Sequence, residues 1–212
     1  MREGKQTFAV GHLALGYISG KATSKLLKVN VNIPLLFVAS IIADIDLLMP
    51  NLLEHRGPTH SIIMFLAIAF PTILVWKKRA IPYLTAFASH PFLGDYLTAP
   101  NVDAGLQLFF PLNSGWFSGG TEAALHTYIY AELVLFITFL TLMLTTRDIT
   151  TLIKHHSSNL LLAIPISTAL LPVFLQFPIP VPPELIIPHL ILLILLTFPI
   201  LIDIQFFIRH HR

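Results

Sequence analysis

Long apolar stretches alternate with short polar ones along most of the chain, and this alternation predicts its architecture. Several of the apolar segments approach or exceed the ~20 residues that cross a bilayer as a helix. We predict an all-α protein, a polytopic transmembrane helical bundle with six to seven hydrophobic segments. The first is short for a span, and we expect it to cross tilted or to pack inside the bundle. The segments cover residues 7–20, 33–50, 61–76, 80–98, 124–145, 159–176 and 184–208.

Composition favours a membrane protein over a soluble one. Hydrophobic residues make up 55% of the chain and its mean hydropathy is +0.76, more than a soluble core of 212 residues needs. We predict one integral membrane domain over residues 1–212, in which residues 8–115 carry the motifs and residues 116–212 complete the helical core. The Lys and Arg residues are spread over several loops rather than gathered in one patch, so no nucleic-acid partner is expected.

The basic residues predict the orientation of the segments. Ten of the 13 Lys and Arg follow the first, third, fifth and last segments, which end on one side if every segment crosses. The positive-inside rule makes that side cytoplasmic. We therefore predict a multi-pass protein of the cell membrane whose loops 51–60, 99–123 and 177–183 are extracytoplasmic. The ten residues are Lys21, Lys25, Lys28, Lys77, Lys78, Arg79, Arg147, Lys154, Arg209 and Arg212.

Ionisable residues gather at the predicted outer ends of five of the segments. Such residues are costly inside a membrane and usually face a polar cavity. Because the chain has no cysteine, a metal ion would have to be held by His, Asp or Glu, which suits zinc or a similar divalent ion. We predict a metal site at this depth. The candidate ligands are His12, Asp44, Asp46, His55, His60, His90 and Asp95, with Glu122 and His126 as additional candidates.

Each of these residues also has an ordinary structural explanation. His12 could be a core histidine bonded to a carbonyl group, and His60 could belong to a capped helix start. Asp44 and Asp46 could cap a helix or pair with Arg56. These two Asp residues point about 200° apart on an ideal helix, so both face one site only if the helix ends or distorts there.

Two further pairs depend on local helix geometry. His90 and Asp95 are about 140° apart on an ideal α-helix, although Pro91 lies between them and can break that geometry. Glu122 and His126 are four positions apart and share a helix face, but they could form a simple surface pair. The metal hypothesis therefore depends on the convergence of all these segments at one depth rather than on any single pair.

Several short motifs occur in order along the first half of the chain, over roughly residues 8–115. The motifs are Gly11-His12-x-x-x-Gly16, Ala43-Asp44-Ile45-Asp46, His55-Arg56-Gly57-Pro58-Thr59-His60-Ser61, Ser89-His90 through Asp95-Tyr96-Leu97-Thr98, and Gly105 to Phe110-Pro111-Leu112. Together they resemble the YdjM-like family of membrane-bound metal-dependent hydrolases, which is more distantly similar to zinc-dependent phospholipase C and nuclease enzymes.

One spacing departs from the family pattern. The family commonly has His and Asp four positions apart at the fourth motif, whereas His90 and Asp95 are five apart. Either the distortion around Pro91 restores the geometry, or Asp95 lies behind the ligands and supports them.

The resemblance implies hydrolysis of phosphoesters, and a cavity at the membrane interface suits an amphiphilic, lipid-like substrate. We expect His12, Asp44, His60 and His90 to hold the ion. Asp46, His55 and Asp95 would be further ligands, support for the ligands, or ligands of a second ion. For catalysis we expect Asp46 or Asp95 as general base, Arg56 as a bidentate phosphate contact, and Thr59 with Ser61 to orient the substrate.

Two other functions remain open from the sequence. Intramembrane His and Asp residues also serve proton relays, so a proton- or ion-coupled transporter is the first alternative; His189 and Asp203 in the last segment would then share a cavity with the outer residues. A metal-stabilised structural or partner-binding protein is the second, and it would have a closed metal site, while a catalytic site keeps an open position.

Overall fold

The computed structural model of the chain describes residues 8–49, 52–120, 125–171 and 181–210. Within these residues there is no strand, and the one extended pairing is an isolated antiparallel bridge between Leu106 and Phe117. The prediction of an all-α protein is confirmed. The α-helices are α1 (Ala9–Leu27), α2 (Ile33–Ile41), α3 (Ile62–Trp76), α4 (Ile81–Ala88), α5 (Tyr96–Thr98), α6 (Leu125–Thr145), α7 (Asp148–Leu152), α8 (Ala163–Pro165) and α9 (Pro183–His210).

Helix α1 lies at the centre of the bundle and packs against α2, α4 and α6. It approaches α2 closely because Gly16 has no side chain: a Cβ there would lie 2.0 Å from Cβ of Ser40. The next residue, Tyr17, packs with Phe37 of α2 and Phe139 of α6 in a buried aromatic cluster. This packing fixes the position of α2, which leads directly into the candidate site.

The bundle has two chemically different ends. Helices α1 and α6 run in the same direction, as two contacts between them show. The Phe8 amide, just before α1, donates to Glu132 Oε1 in the first half of α6 (2.6 Å). Further along both segments, Lys21 of α1 pairs with Asp148, just beyond α6 (2.6 Å between Nζ and Oδ2). We call the end near Phe8 the site end and the opposite end the basic end. The basic end carries the exposed side chains of Lys25, Lys28, Lys77, Lys78, Arg79, Arg147, Lys154 and Arg209.

Among the described residues, two helical stretches are long and apolar enough to cross a membrane, Tyr128–Thr145 within α6 and all of α9. Only 22% and 33% of the residues in their apolar windows are buried, so neither resembles the core helix of a soluble protein. The prediction of six to seven membrane-crossing segments is therefore too high by this measure, although the helical class is correct.

Apart from the first, which lies in the regular 19-residue helix α1, the other predicted segments are shorter or broken by irregular helix. Segment 33–50 becomes a 3-10 helix at Ile42–Leu48, and segment 80–98 becomes a π-helix at Ser89–Asp95. Segment 61–76 forms a 15-residue helix, α3, which is short for a span. The breaks follow from polar residues and from prolines such as Pro91, which lacks the N–H group that a regular helix needs.

Candidate metal centre

Asp44 and Asp46 reach the site because α2 ends before them. Both lie in the 3-10 helix Ile42–Leu48 and both are buried. They contact opposite edges of one imidazole: Asp44 Oδ1 lies 3.5 Å from His60 Nε2, and Asp46 Oδ2 lies 3.3 Å from His60 Nδ1. The distortion that the spacing of the two Asp residues required is therefore present, and His60 is held between them.

His90 and Asp95 are brought together by the π-helix Ser89–Asp95. Hydrogen bonds in this helix run from residue i to i+5, as from the Tyr96 amide to the Pro91 carbonyl, so residues five apart lie one turn from each other. As a result His90 Nε2 lies 3.2 Å from Asp95 Oδ2. The irregular helix thus accommodates the five-residue spacing by which this chain departs from the family pattern.

Four donor atoms from three parts of the chain converge at the centre of the site. Besides the contacts already given, His90 Nε2 lies 3.2 Å from Asp44 Oδ1, and His60 Nε2 lies 3.4 Å from Asp95 Oδ2. Ligand atoms about 2.0–2.1 Å from a tetrahedral zinc ion lie about 3.3 Å from one another. The four distances between the imidazole nitrogens and the carboxylate oxygens, 3.2 to 3.5 Å, match that separation.

The outer edges of the two imidazoles are fixed by hydrogen bonds. His90 Nδ1 lies 3.0 Å from the Ser40 carbonyl oxygen, so Nδ1 carries the proton and Nε2 is left to face the centre. His60 Nδ1 faces Asp46 in the same way. Within the described residues, Nε2 of His60 and Nε2 of His90 are buried without a hydrogen-bond partner. Buried orphan nitrogens oriented by carboxylate or carbonyl groups are typical of metal-binding histidines.

The charge balance also favours a cation. Three buried carboxylates, those of Asp44, Asp46 and Asp95, face one guanidinium, that of Arg56, so two negative charges are uncompensated when the imidazoles are neutral. Burial disfavours the charged form of His60, but the nearby carboxylates of Asp44, Asp46 and Asp95 outweigh burial and raise the pKa of this imidazole well above its usual 6.5. Burial likewise opposes ionisation of Asp46, but hydrogen bonds to His55 and His60 hold its pKa below the usual value.

Arg56 lies inside the site rather than at its surface. Its side chain is 3% exposed, and its guanidinium pairs with Asp95 Oδ1 and donates to the Ala104 carbonyl (2.6 Å). Its backbone has positive φ (63°), and its amide donates to Asp46 Oδ2 (3.1 Å). The predicted phosphate contact by Arg56 therefore competes with an ion pair already formed to Asp95.

Asp46 and Thr59 are also engaged with protein groups. Thr59 Oγ1 donates to Asp46 Oδ2 (2.8 Å), and His55 Nδ1 lies 3.1 Å from Asp46 Oδ1. Both oxygens of Asp46 thus have neighbours, and its side chain is fully buried. Ser61, which we expected to orient a substrate, caps α3 by accepting from the Met64 amide (3.1 Å).

His12 and His55 flank the central four residues on different sides. The His12 ring stacks on His90 with centroids 3.9 Å apart, and its Nε2 lies 3.4 Å from Asp95 Oδ1. Gly94 makes room for it, since a Cβ there would lie 2.6 Å from the His12 ring. His55, with its side chain 24% exposed, is the most accessible histidine of the group. Three overlapping sets could hold an ion: His12, His90 and Asp95; Asp44, His60 and His90; Asp46, His55 and His60.

The remaining candidates are not placed in the site. Glu122 lies outside the described residues, and for His126 only the backbone is described, in the first turn of α6. Asp203 lies at the basic end, where its Oδ1 is 2.8 Å from His155 Nδ1. His189 is buried in α9, and its Nδ1 bonds the Leu185 carbonyl (2.7 Å).

Glu132 of α6 is a buried polar residue that the sequence analysis did not single out. Its carboxylate accepts from the Phe8 amide at the start of α1, where Phe8 provides no side-chain cap of its own. A Cβ on Gly11 would lie 2.9 Å from the Glu132 side chain, so the glycine admits this contact. Glu132 therefore fixes the start of the helix that carries His12. Its signal in the sequence is that it is the single acid of segment 124–145.

Fold and site together define the class: a helical membrane protein with a buried His and Asp cluster that could bind a metal ion. The sequence model of the YdjM inner membrane protein family matches residues 8–179, and the chain belongs to this family. The family inferred from the motifs is confirmed, and the match extends well beyond them into the C-terminal half, while the relationship to metal-dependent hydrolases stays a prediction. The family description names a membrane and no reaction. No curated protein and no solved structure matches the chain.

Proposed function

We propose that the protein is a membrane-embedded metal-dependent hydrolase whose ion is held by Asp44, His60, His90 and Asp95. The observation that carries the proposal is the convergence of two buried imidazole nitrogens on two carboxylate oxygens at 3.2 to 3.5 Å. Because the donors are nitrogen and oxygen, zinc is the ion we propose. A bound divalent ion would supply a Lewis acid and an activated water for ester hydrolysis.

The surrounding residues would keep these ligands in place. Asp46 orients His60 through Nδ1, and the Ser40 carbonyl does the same for His90. Arg56 holds Asp95 by its ion pair, and Thr59 holds Asp46. Of the two general bases expected from the sequence, Asp46 has no open oxygen and Asp95 is paired. We therefore assign proton transfer to His55, which is part-exposed at the edge of the site.

We further propose that the substrate is a phosphoester with an apolar part, reached from the extracytoplasmic face of a multi-pass bundle. Helix α3 supports this placement. It has no charged residue, it begins directly after the site at Ser61, and of its residues only Ala69 is buried. An apolar helix that packs on so little protein is expected to face lipid. The exposed Lys77, Lys78 and Arg79 follow it at the basic end, which the positive-inside rule makes cytoplasmic.

The proposal is tested by metal analysis of the purified protein and of the variants His60→Ala and His90→Ala. We expect bound zinc in the parent protein, its loss in both variants, and loss of phosphodiester hydrolysis with it. His156→Ala, an exposed histidine at the basic end, is the matched control and should keep its metal. A parent protein that binds no divalent ion and a hydrolysis rate unchanged in both variants would rule out the proposal.

One observation also favours a metal-stabilised structural protein. Four protein donors are the number that closed structural zinc sites use, and the four nitrogen–oxygen separations here fit such a site. In that case removal of the ion should lower the melting temperature strongly, while no phosphoester is hydrolysed by the loaded protein. The transporter alternative gains less support, since Asp203 pairs with His155 at the end of the bundle opposite to the site.

A further inference from the structure

Two loops at the site end expose apolar side chains around the metal centre. One loop follows the 3-10 helix that carries Asp44 and Asp46, and the other lies between α5 and α6. Leu52 in the first is 80% exposed and Leu112 in the second is 85% exposed. We call the exposed apolar residues of these loops, together with Leu48 at the end of the 3-10 helix, the collar. They are Leu48, Met49, Leu52, Val102, Phe109 and Leu112.

Both loops are attached to the site by hydrogen bonds. The first contains Arg56, whose carbonyl accepts from the Gln107 amide of the second (3.0 Å). The second loop also reaches the start of α3, where the Ile62 amide donates to the Leu108 carbonyl (2.8 Å). The collar therefore lies at the level of the metal centre and next to the first turn of α3.

The collar differs in charge from the loops of the basic end. Across the described parts of residues 48–60 and 99–120, the exposed charged side chains are Glu54 and Asp103, and no exposed Lys or Arg occurs. The collar thus combines highly exposed apolar side chains with an absence of exposed basic ones among the described residues, and these two features together fit an apolar partner. The two acids nevertheless limit the depth of insertion to the headgroup region, because a charge in the hydrocarbon centre is costly.

The length of α3 indicates what that partner is. Its 15 residues rise about 22 Å, whereas the hydrocarbon core of a bilayer is about 30 Å thick, so α3 leaves about 8 Å uncovered. With Lys77, Lys78 and Arg79 at the cytoplasmic headgroups, the start of α3 lies below the opposite surface. Apolar surface is then needed beyond His60 and Ser61, and the collar occupies that position.

We propose that the collar inserts into the headgroup–acyl boundary of the phospholipid bilayer, so that the metal centre lies below the membrane surface. The proposal rests on the membrane placement of α3 given above. An insertion of about 5–10 Å, the depth typical of interfacial apolar groups, accounts for the length missing from α3. A lipid in the same leaflet would present its phosphate to the site while its acyl chains remain in the bilayer, which names the substrate class as membrane lipid phosphoesters.

The chain has no cysteine, so single cysteines can be labelled without removing native ones. Leu52→Cys and Leu112→Cys would carry an environment-sensitive fluorophore in full-length protein in liposomes of phosphatidylcholine and phosphatidylglycerol. Phe70→Cys, exposed in the middle of α3, marks the acyl region, and Ser157→Cys, exposed at the basic end, marks water. Nitroxide lipids with the quencher near the headgroup or near the acyl terminus report depth, and zinc content shows that each variant keeps its site.

We expect the probes at Leu52 and Leu112 to lose about half of their fluorescence to the headgroup quencher and little to the deep one. The Phe70 probe should respond most to the deep quencher, and the Ser157 probe to neither. Collar probes that behave like Ser157 while Phe70 is quenched would overturn the insertion and leave the placement of α3 intact. If Phe70 also behaves like Ser157, the membrane placement fails and the collar proposal with it, whereas the metal site is judged separately by zinc content.

Discussion

Asp and His residues pair at both ends of the bundle, but the two ends arrange them differently. At the basic end Asp203 Oδ1 accepts from the His156 amide and lies 2.8 Å from Nδ1 of His155, whose ring is half open to water and stacks on Phe206. At the site end the imidazoles of His12, His60 and His90 are buried, and His60 and His90 each approach two different carboxylates.

The comparison teaches what separates an ion pair from a metal site in this protein. At the basic end the Nδ1 atom of His155 has a carboxylate of its own, and the part-exposed ring reaches water. Shared carboxylates cannot give every imidazole nitrogen a hydrogen bond, so Nε2 of His60 and of His90 stay without one among the described residues. A buried arrangement of this kind is unfavourable unless a cation completes it.

Among the substitutions that test this comparison, we expect the largest effect, a loss of zinc affinity, from Asp46→Asn. The amide keeps the size of the side chain but loses the charge that orients His60. Zinc affinity should fall by about 10–100-fold, as for other groups that orient metal-binding histidines. Competition titration with a chelating dye measures it. Asp203→Asn, the matched change at the basic end, should leave zinc affinity unchanged; an equal loss in both variants would show that the charge acts on the fold rather than on His60.

An intermediate effect is expected from Gly94→Ala. The backbone there is helical, so alanine is acceptable locally, but its Cβ would lie 2.6 Å from the His12 ring. We expect a loss of about 1–3 kcal/mol in stability through overpacking, together with weaker zinc binding because His12 stacks on His90. Thermal unfolding with and without zinc measures both. The combination with His12→Ala provides the control, since removal of the ring should restore most of the lost stability.

The smallest effect is expected from His155→Ala at the basic end. The ring is part-exposed, and without it the buried Asp203 still accepts from the His156 amide, so the change removes one hydrogen bond, which contributes at most about 1.5 kcal/mol. We expect a decrease in stability within that limit and no change in zinc content. A loss of zinc in this variant would mean that the two ends of the bundle are coupled, and the contrast between them would have to be abandoned.

Most residues of the candidate site could be predicted from the sequence, because the residues of the motifs are also the rare ionisable residues of the apolar segments. His12, Asp44, Asp46, His55, His60, His90 and Asp95 lie together as the convergence argument required, while their binding of metal stays a prediction. Their separate roles could not be read. The distinction between Asp44 and Asp46 depends on which edge of His60 each one meets, and the burial of Arg56 depends on a carbonyl 48 positions away.

The sequence by itself determined the helical class, the apolar segments and the charge difference between the two ends, because these depend on composition and local periodicity. Only the tertiary structure decided where those segments stop being regular helices. The π-helix at Ser89–Asp95 and the 3-10 helix at Ile42–Leu48 exist in a packed bundle in which Gly16 and Gly94 allow close contact. Periodicity reports the regular helix, whereas the departures that bring His90 to Asp95 and Asp44 to His60 arise from contacts between distant parts of the chain.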